Sequence, residues 1–121
     1  MSDQSPSEQQ PVPISWRQTF REIATAFAAA DYGLVADVLG VDPISTETAT
    51  HIQRCISDYG VTLAALPEET WESSICIWTG DHWDALIDLW TQEEGRSDLV
   101  LHAHVVETPS FSVKVHLVYV P

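Results

Sequence analysis

The stretch "DLWTQEEGRSDLVLHAHVVE", residues 88 to 107, decides the fold. Two runs in which apolar and polar residues alternate flank a charged turn that contains Gly95. Alternation with a period of two marks strands with one buried face. Gly95 supplies the positive φ that a tight turn asks for. A connection this short makes the two strands antiparallel neighbours. Working outward, "WESSICIW" (71–78), "WDALIDLWT" (83–91), "DLVLHAHVVE" (98–107) and "FSVKVHLVYV" (111–120) read as four strands of a meander. "TGDH", "QEEGRS" and "TPS" are the turns between them.

Upstream the period changes to 3.6. In "ISWRQTFREIATAFAAADYG" (14–33), Trp16, Phe20, Ile23 and Phe27 share one helical face, with Arg17 and Arg21 on another. Ser15 and Gln18 have capping-box spacing, and Gly33 is a C-terminal stop. In "ISTETATHIQRCISDYG" (44–60), Ser45 or Thr46 caps a second helix. Ala49, Ile52, Ile56 and Tyr59 form its apolar face, and Gly60 ends it. The predicted fold class is α+β, with two N-terminal helices packed on one face of a four-stranded antiparallel meander sheet. Residues 1–13, rich in Ser, Gln, Pro and acid, are expected to be a flexible tail, and residues 14–121 a single domain.

Odd-numbered strand positions form the expected core face: Ala85, Ile87 and Leu89, then Leu99, Leu101, Ala103 and Val105, then Val113, Val115, Leu117 and Tyr119. The even-numbered face carries the polar chemistry. If the second turn is centred on Gly95, Asp88 falls opposite His102. If the third is centred on Pro109, His102 falls opposite His116, and His104 opposite Lys114. The predicted row Asp88–His102–His116, with His104 beside it, offers a ligand set for a metal or small molecule. It also offers a His–Asp pair for acid–base work, or simply a wet ladder. No nucleophile motif or phosphate-cradling glycine loop accompanies it, and no cofactor is expected.

Charge points to a kind of partner. Eighteen acidic residues against five basic ones give −13 at neutral pH. Such a surface repels nucleic acid and anionic membranes and attracts basic proteins. Residues 68 to 98 hold nine acids against Arg96 alone. Trp90 falls on the even face near this cluster. Asp84, Trp90, Glu93, Glu94 and Asp98 are therefore the candidate interface with a basic protein, and a homodimer through the outer sheet face or an edge strand is a further expectation. Cys55 and Cys76 sit in apolar patterns without short metal or redox spacing, so they read as free thiols. The N-terminal residues lack the pattern of a signal peptide, and no apolar run approaches the ~20 residues of a membrane span. A cytoplasmic location is expected.

"DYG", "LPEETW", "DLWTQEEGRSDLVL" and the closing "LVYVP" resemble a family of small uncharacterised bacterial proteins, over about residues 15 to 121. The resemblance brings no catalytic residues. In size and acidity the chain is also similar to immunity proteins, which neutralise bacterial toxins. Together these features predict a non-enzymatic acidic module that binds a basic protein, with a metal or small-molecule site at Asp88, His102, His104 and His116 as the alternative.

Overall fold

A computed structural model describes residues 9–35 and 37–121. The chain runs β1 (Gln9–Pro11), α1 (Ile14–Ala28), α2 (Thr46–Tyr59), β2 (Leu63–Ala64), a 3₁₀ segment (Glu68–Glu72), β3 (Ile75–Trp78), β4 (Trp83–Thr91), β5 (Gly95–Val106) and β6 (Ser112–Tyr119). The α+β class stands. The expected four-stranded sheet behind two N-terminal helices does not. The sheet has six antiparallel strands in the order β1-β3-β4-β5-β6, with β2 pairing β4, and β1 precedes both helices.

Both additional strands come from stretches too short for a periodic signal. β1 lies inside the segment expected to be a tail and pairs with β3 through Gln9–Ile77, Gln10–Cys76 and Pro11–Ile75. Val12, next in line, is fully buried. Its carbonyl accepts bonds from Arg17 Nε and Nη2 at 3.1 and 3.0 Å. Residues 1–8 lie outside the described residues. β2 takes up the edge of β4 where β3 leaves off, pairing Leu63 with Thr91 and Ala64 with Trp90. Between β2 and β3 the chain makes the 3₁₀ segment, which takes Trp71 out of the predicted first strand. Trp71 is buried there, with the guanidinium groups of Arg17 and Arg21 over its ring at 5.5 and 5.6 Å. Arg21 also pairs with Glu68.

The helices follow their apolar faces more closely than their predicted ends. Trp16, Phe20, Ile23 and Phe27 are all buried. The capping box does not form. Pro13 is the N-cap residue of α1 and Ser15 lies within the helix. The helix stops at Ala28, short of Gly33, where Ala30 turns the chain with φ of 65°. Helix α2 behaves as expected, with Ser45 Oγ accepting from Thr48 N at 3.2 Å and Gly60 closing it at φ 81°.

The core gathers the apolar faces of both helices and the odd positions of β4 and β5. On β6 the parity switches. Val113 and Val115 are buried as expected, but so is Val118, while Leu117 and Tyr119 turn to the other face. A bulge is the cause. Ala103 pairs with Val115 and His102 with Leu117, so His116 is an extra residue on β6. The outer edge of β6 is covered by the connector after α1: Val113 N donates to Gly40 O, and Asp42 N to Val113 O, at 2.8 and 2.9 Å.

Candidate metal centre

Strand parity puts Asp84 (β4), His102 and His104 (β5) on the face of the sheet opposite the helices. His82, in the β3–β4 turn, points to the same place. The pairing of β4 with β5 sets Asp84 opposite His104 and Leu86 opposite His102. The predicted register differed by two residues. Even and odd faces were therefore preserved, but each partner moved by one pleat. The cause lies in the hairpin. Its turn is residues 92–94, with Thr91 opposite Gly95, and beyond it a bulge sets one β4 residue (Leu89) against three of β5.

Three imidazoles converge on one carboxylate oxygen. Asp84 Oδ1 lies 3.1 Å from His82 Nε2, 3.2 Å from His102 Nε2 and 3.5 Å from His104 Nε2. Ligand atoms of His82, Asp84 and His104 all lie within 4.8 Å of one another. His102 Nε2 is near Asp84 but off the line of a hydrogen bond. It is a buried nitrogen without a hydrogen-bond partner among the described residues, though it stays within ion-pair distance of Asp84. His116 closes the group from β6, stacked on His104 at 5.1 Å and 17°, and edge-on to His102 at 5.1 Å. Four of the chain's five histidines thus share one patch. The side chains of His82, Asp84, His102 and His104 are 20–34% exposed, so the group is half-buried and open on one side.

His82 is held from behind. Its Nδ1 lies 2.7 Å from Asp81 Oδ1 and 3.2 Å from Thr79 Oγ1. A carboxylate on one imidazole nitrogen fixes the ring and leaves the other nitrogen as the donor toward an ion. The electrostatics agree with this arrangement. Burial pushes the Asp84 carboxyl up, but the imidazoles of His102 and His82 outweigh it and hold it below the usual carboxylate range. The His104 imidazole is pushed below its ordinary 6.5, by burial first and then by His82, against the pull of Asp84 and with His102 and His116 adding to the push. Neutral imidazole is the form that binds metal.

That shift has a consequence for stability. Well above 6.5, His104 is neutral in both the folded and the unfolded chain. As pH falls, the unfolded chain takes the proton first, so stability is lost from about 6.5 down through the lowered folded value. Metal-free protein is expected to show a falling Tm across that window, and His104→Gln a shallower fall. A variant with the parent's slope would contradict the assignment.

The other predicted site residues go elsewhere. Asp88 sits opposite Val100 and belongs to the packing of the 3₁₀ segment. Its carboxylate accepts from Ser73 Oγ, its N–H donates to Ser74 Oγ at 3.0 Å, and its carbonyl accepts from Thr70 Oγ1 at 2.7 Å. The acidic turn also has internal work. Glu93 Oε1 accepts from Thr62 N at 2.9 Å, and Glu94 Oε1 from Tyr59 Oη at 3.0 Å. The same Tyr59 oxygen accepts from Asp98 N at 3.1 Å. These bonds tie the end of α2 to the β4–β5 hairpin. Trp90 is half-buried with its Nε1 enclosed, and its ring lies against Gly95. Of the five interface candidates, Asp84 alone enters the histidine cluster.

His82 was missed because "TGDH" reads as a turn. A signal was present all the same. "HWD" (82–84) and "HAH" (102–104) are two pairs at i and i+2, the spacing that puts both members on one side of a strand. The two cysteines are free, as expected. Burial, with Glu107 adding to it, pushes the Cys76 thiol up to about 11. No helix among the described residues is long and apolar enough to cross a membrane.

The chain belongs to the family described as a domain of unknown function, DUF7668, whose model matches residues 24–121. That range includes every residue of the histidine cluster. Neither the curated proteins nor the solved structures give a match.

Proposed function

We propose that this protein binds a divalent transition-metal ion of the zinc class through Asp84, His82 and His104, with His102 beside Asp84 at the edge of the group. One observation carries the reading: the convergence of three imidazole nitrogens on a single Asp84 oxygen at 3.1, 3.2 and 3.5 Å. Zinc binds imidazole nitrogen at about 2.0–2.1 Å, so neighbouring ligand atoms of a tetrahedral site lie roughly 3.3 Å apart. The distances to Asp84 Oδ1 match that edge length. The donor set, imidazole with one carboxylate, suits zinc and its neighbours rather than calcium or magnesium. His102 Nε2 is buried and makes no aligned hydrogen bond, and Asp81 supplies the outer support for His82.

Titrating zinc into metal-free protein tests this. The expected result is saturable uptake and a rise in Tm, worth about 2.7 kcal/mol at a free-metal concentration 100 times Kd. Asp81→Asn is expected to weaken the ion by about 10–100-fold, the usual cost of losing an outer-shell carboxylate. Equal affinity in that variant would remove Asp81 from the site.

A second reading is a non-enzymatic acidic module that captures a basic protein, in the manner of an immunity protein. The net charge of −13 supports it, with Glu93, Glu94 and Asp98 exposed on the β4–β5 hairpin. Steering by such a field raises association rates and fades with salt. It stands second because Glu93 and Glu94 are already engaged within the fold and Trp90 is half-buried. A basic protein whose association slows on charge reversal at Glu93, Glu94 and Asp98 would raise it to first.

A further inference from the structure

At the end of the sheet where the β3–β4 and β5–β6 turns meet, a cavity of about 430 Å³ opens on the helix side. Trp78 and Trp83, the cross-strand pair that closes the β3–β4 hairpin, line it with their rings 5.3 Å apart and inclined at 60°. Behind Trp83 stands Trp16, edge-on at 6.0 Å. Trp78 is 37% exposed, unusual for so large an apolar side chain. Among the described residues the polar part of the lining includes two carboxylates, Asp81 and Glu107, and neither Lys nor Arg. Glu107 is fixed in place through Oε2, which accepts from Trp16 Nε1 at 3.3 Å, and Asp81 through Oδ1, bonded to His82 and Thr79.

Indole rings carry negative π faces, and carboxylates beside them add full negative charge. A wedge of two indoles with two carboxylates is therefore a poor site for an anion. It attracts a cation that is large, weakly hydrated and partly apolar, because such an ion loses little on leaving water. A strongly hydrated metal ion would not gain from the indoles. We propose that the Trp78–Trp83 cavity binds an organic cation of the alkylammonium class, with quaternary ammonium the best fit. The site is separate from the histidine cluster. Asp81 is their one shared residue, holding His82 with Oδ1 while lining the cavity.

The test follows the indole N–H signals of Trp78 and Trp83 by NMR as choline is added to the full chain. The matched probe is 3,3-dimethylbutanol, which has the same shape without the charge. Choline is expected to shift both signals saturably and to bind about tenfold more tightly than the neutral probe. Trp78→Ala, a change at an exposed position, should lose choline binding while the rest of the spectrum keeps its dispersion. Glu107→Gln keeps an acceptor for Trp16 and removes the charge, so it should weaken choline and leave the neutral probe unaffected. A short peptide with one trimethyl-lysine distinguishes the sources of the cation: tighter binding than choline assigns the site to a partner's side chain, and weaker binding to a free small molecule. Equal binding of choline and its neutral analogue, or no shift with choline and with the peptide, would overturn the proposal.

Discussion

Asp84→Ala is expected to reduce zinc affinity by at least about 100-fold. Loss of an outer-shell partner alone costs about 10–100-fold, and Asp84 is the one oxygen to which all three imidazole nitrogens point. The fold should survive the change. Asp84 is half-buried on the face away from the helices, and its β4–β5 pairing is made by backbone. Near neutral pH the metal-free variant removes a carboxylate from beside His104, whose imidazole is already pushed toward the neutral form. No charge on that ring is left without its partner. The variant should therefore unfold with normal cooperativity and need at least about 100-fold more zinc for the same rise in Tm. An unchanged zinc response in Asp84→Ala would place the ion elsewhere.

Phe20→Ala is expected to cost about 3–5 kcal/mol, as for other large aromatic truncations in a packed core. Phe20 is fully buried on α1 among residues of both helices and the sheet. A domain of this size has about 5–15 kcal/mol in all, so the variant sits close to unfolding at ambient temperature. Urea denaturation gives the measurement. A loss below about 1 kcal/mol would mean that α1 does not pack as described. The two substitutions separate the account's two levels. One removes the ion and keeps the fold, and the other weakens the fold without touching the cluster.

Periodicity carried the reading where elements were long. The 3.6 period placed α1 and α2, and the period of two placed β4 and β5 with the correct faces. Short elements escaped. β1 and β2 have three and two residues, too few for any period, and their strand character comes from the open edges of β3 and β4. Register escaped for a related reason. The β4–β5 turn is centred on Glu93 rather than Gly95 and the bulge after Asp88 recovers only part of that shift, while the bulge at His116 moves His102 onto Leu117. Hence the half-right site. His102, His104 and His116 do gather on one face, with Lys114 opposite His104 as expected, but Asp84 rather than Asp88 meets them. His82 joins only because the turn folds back toward β4, where it reaches both Asp84 and the ring of His104 at 4.3 Å.

The measurement that bears most directly on the central claim is a calorimetric titration of zinc into metal-free protein, with Asp84→Ala alongside. The expected result is one zinc bound per chain in the parent and at least about 100-fold weaker binding in the variant. Failure of the parent to bind zinc, or identical isotherms for the two proteins, would contradict it.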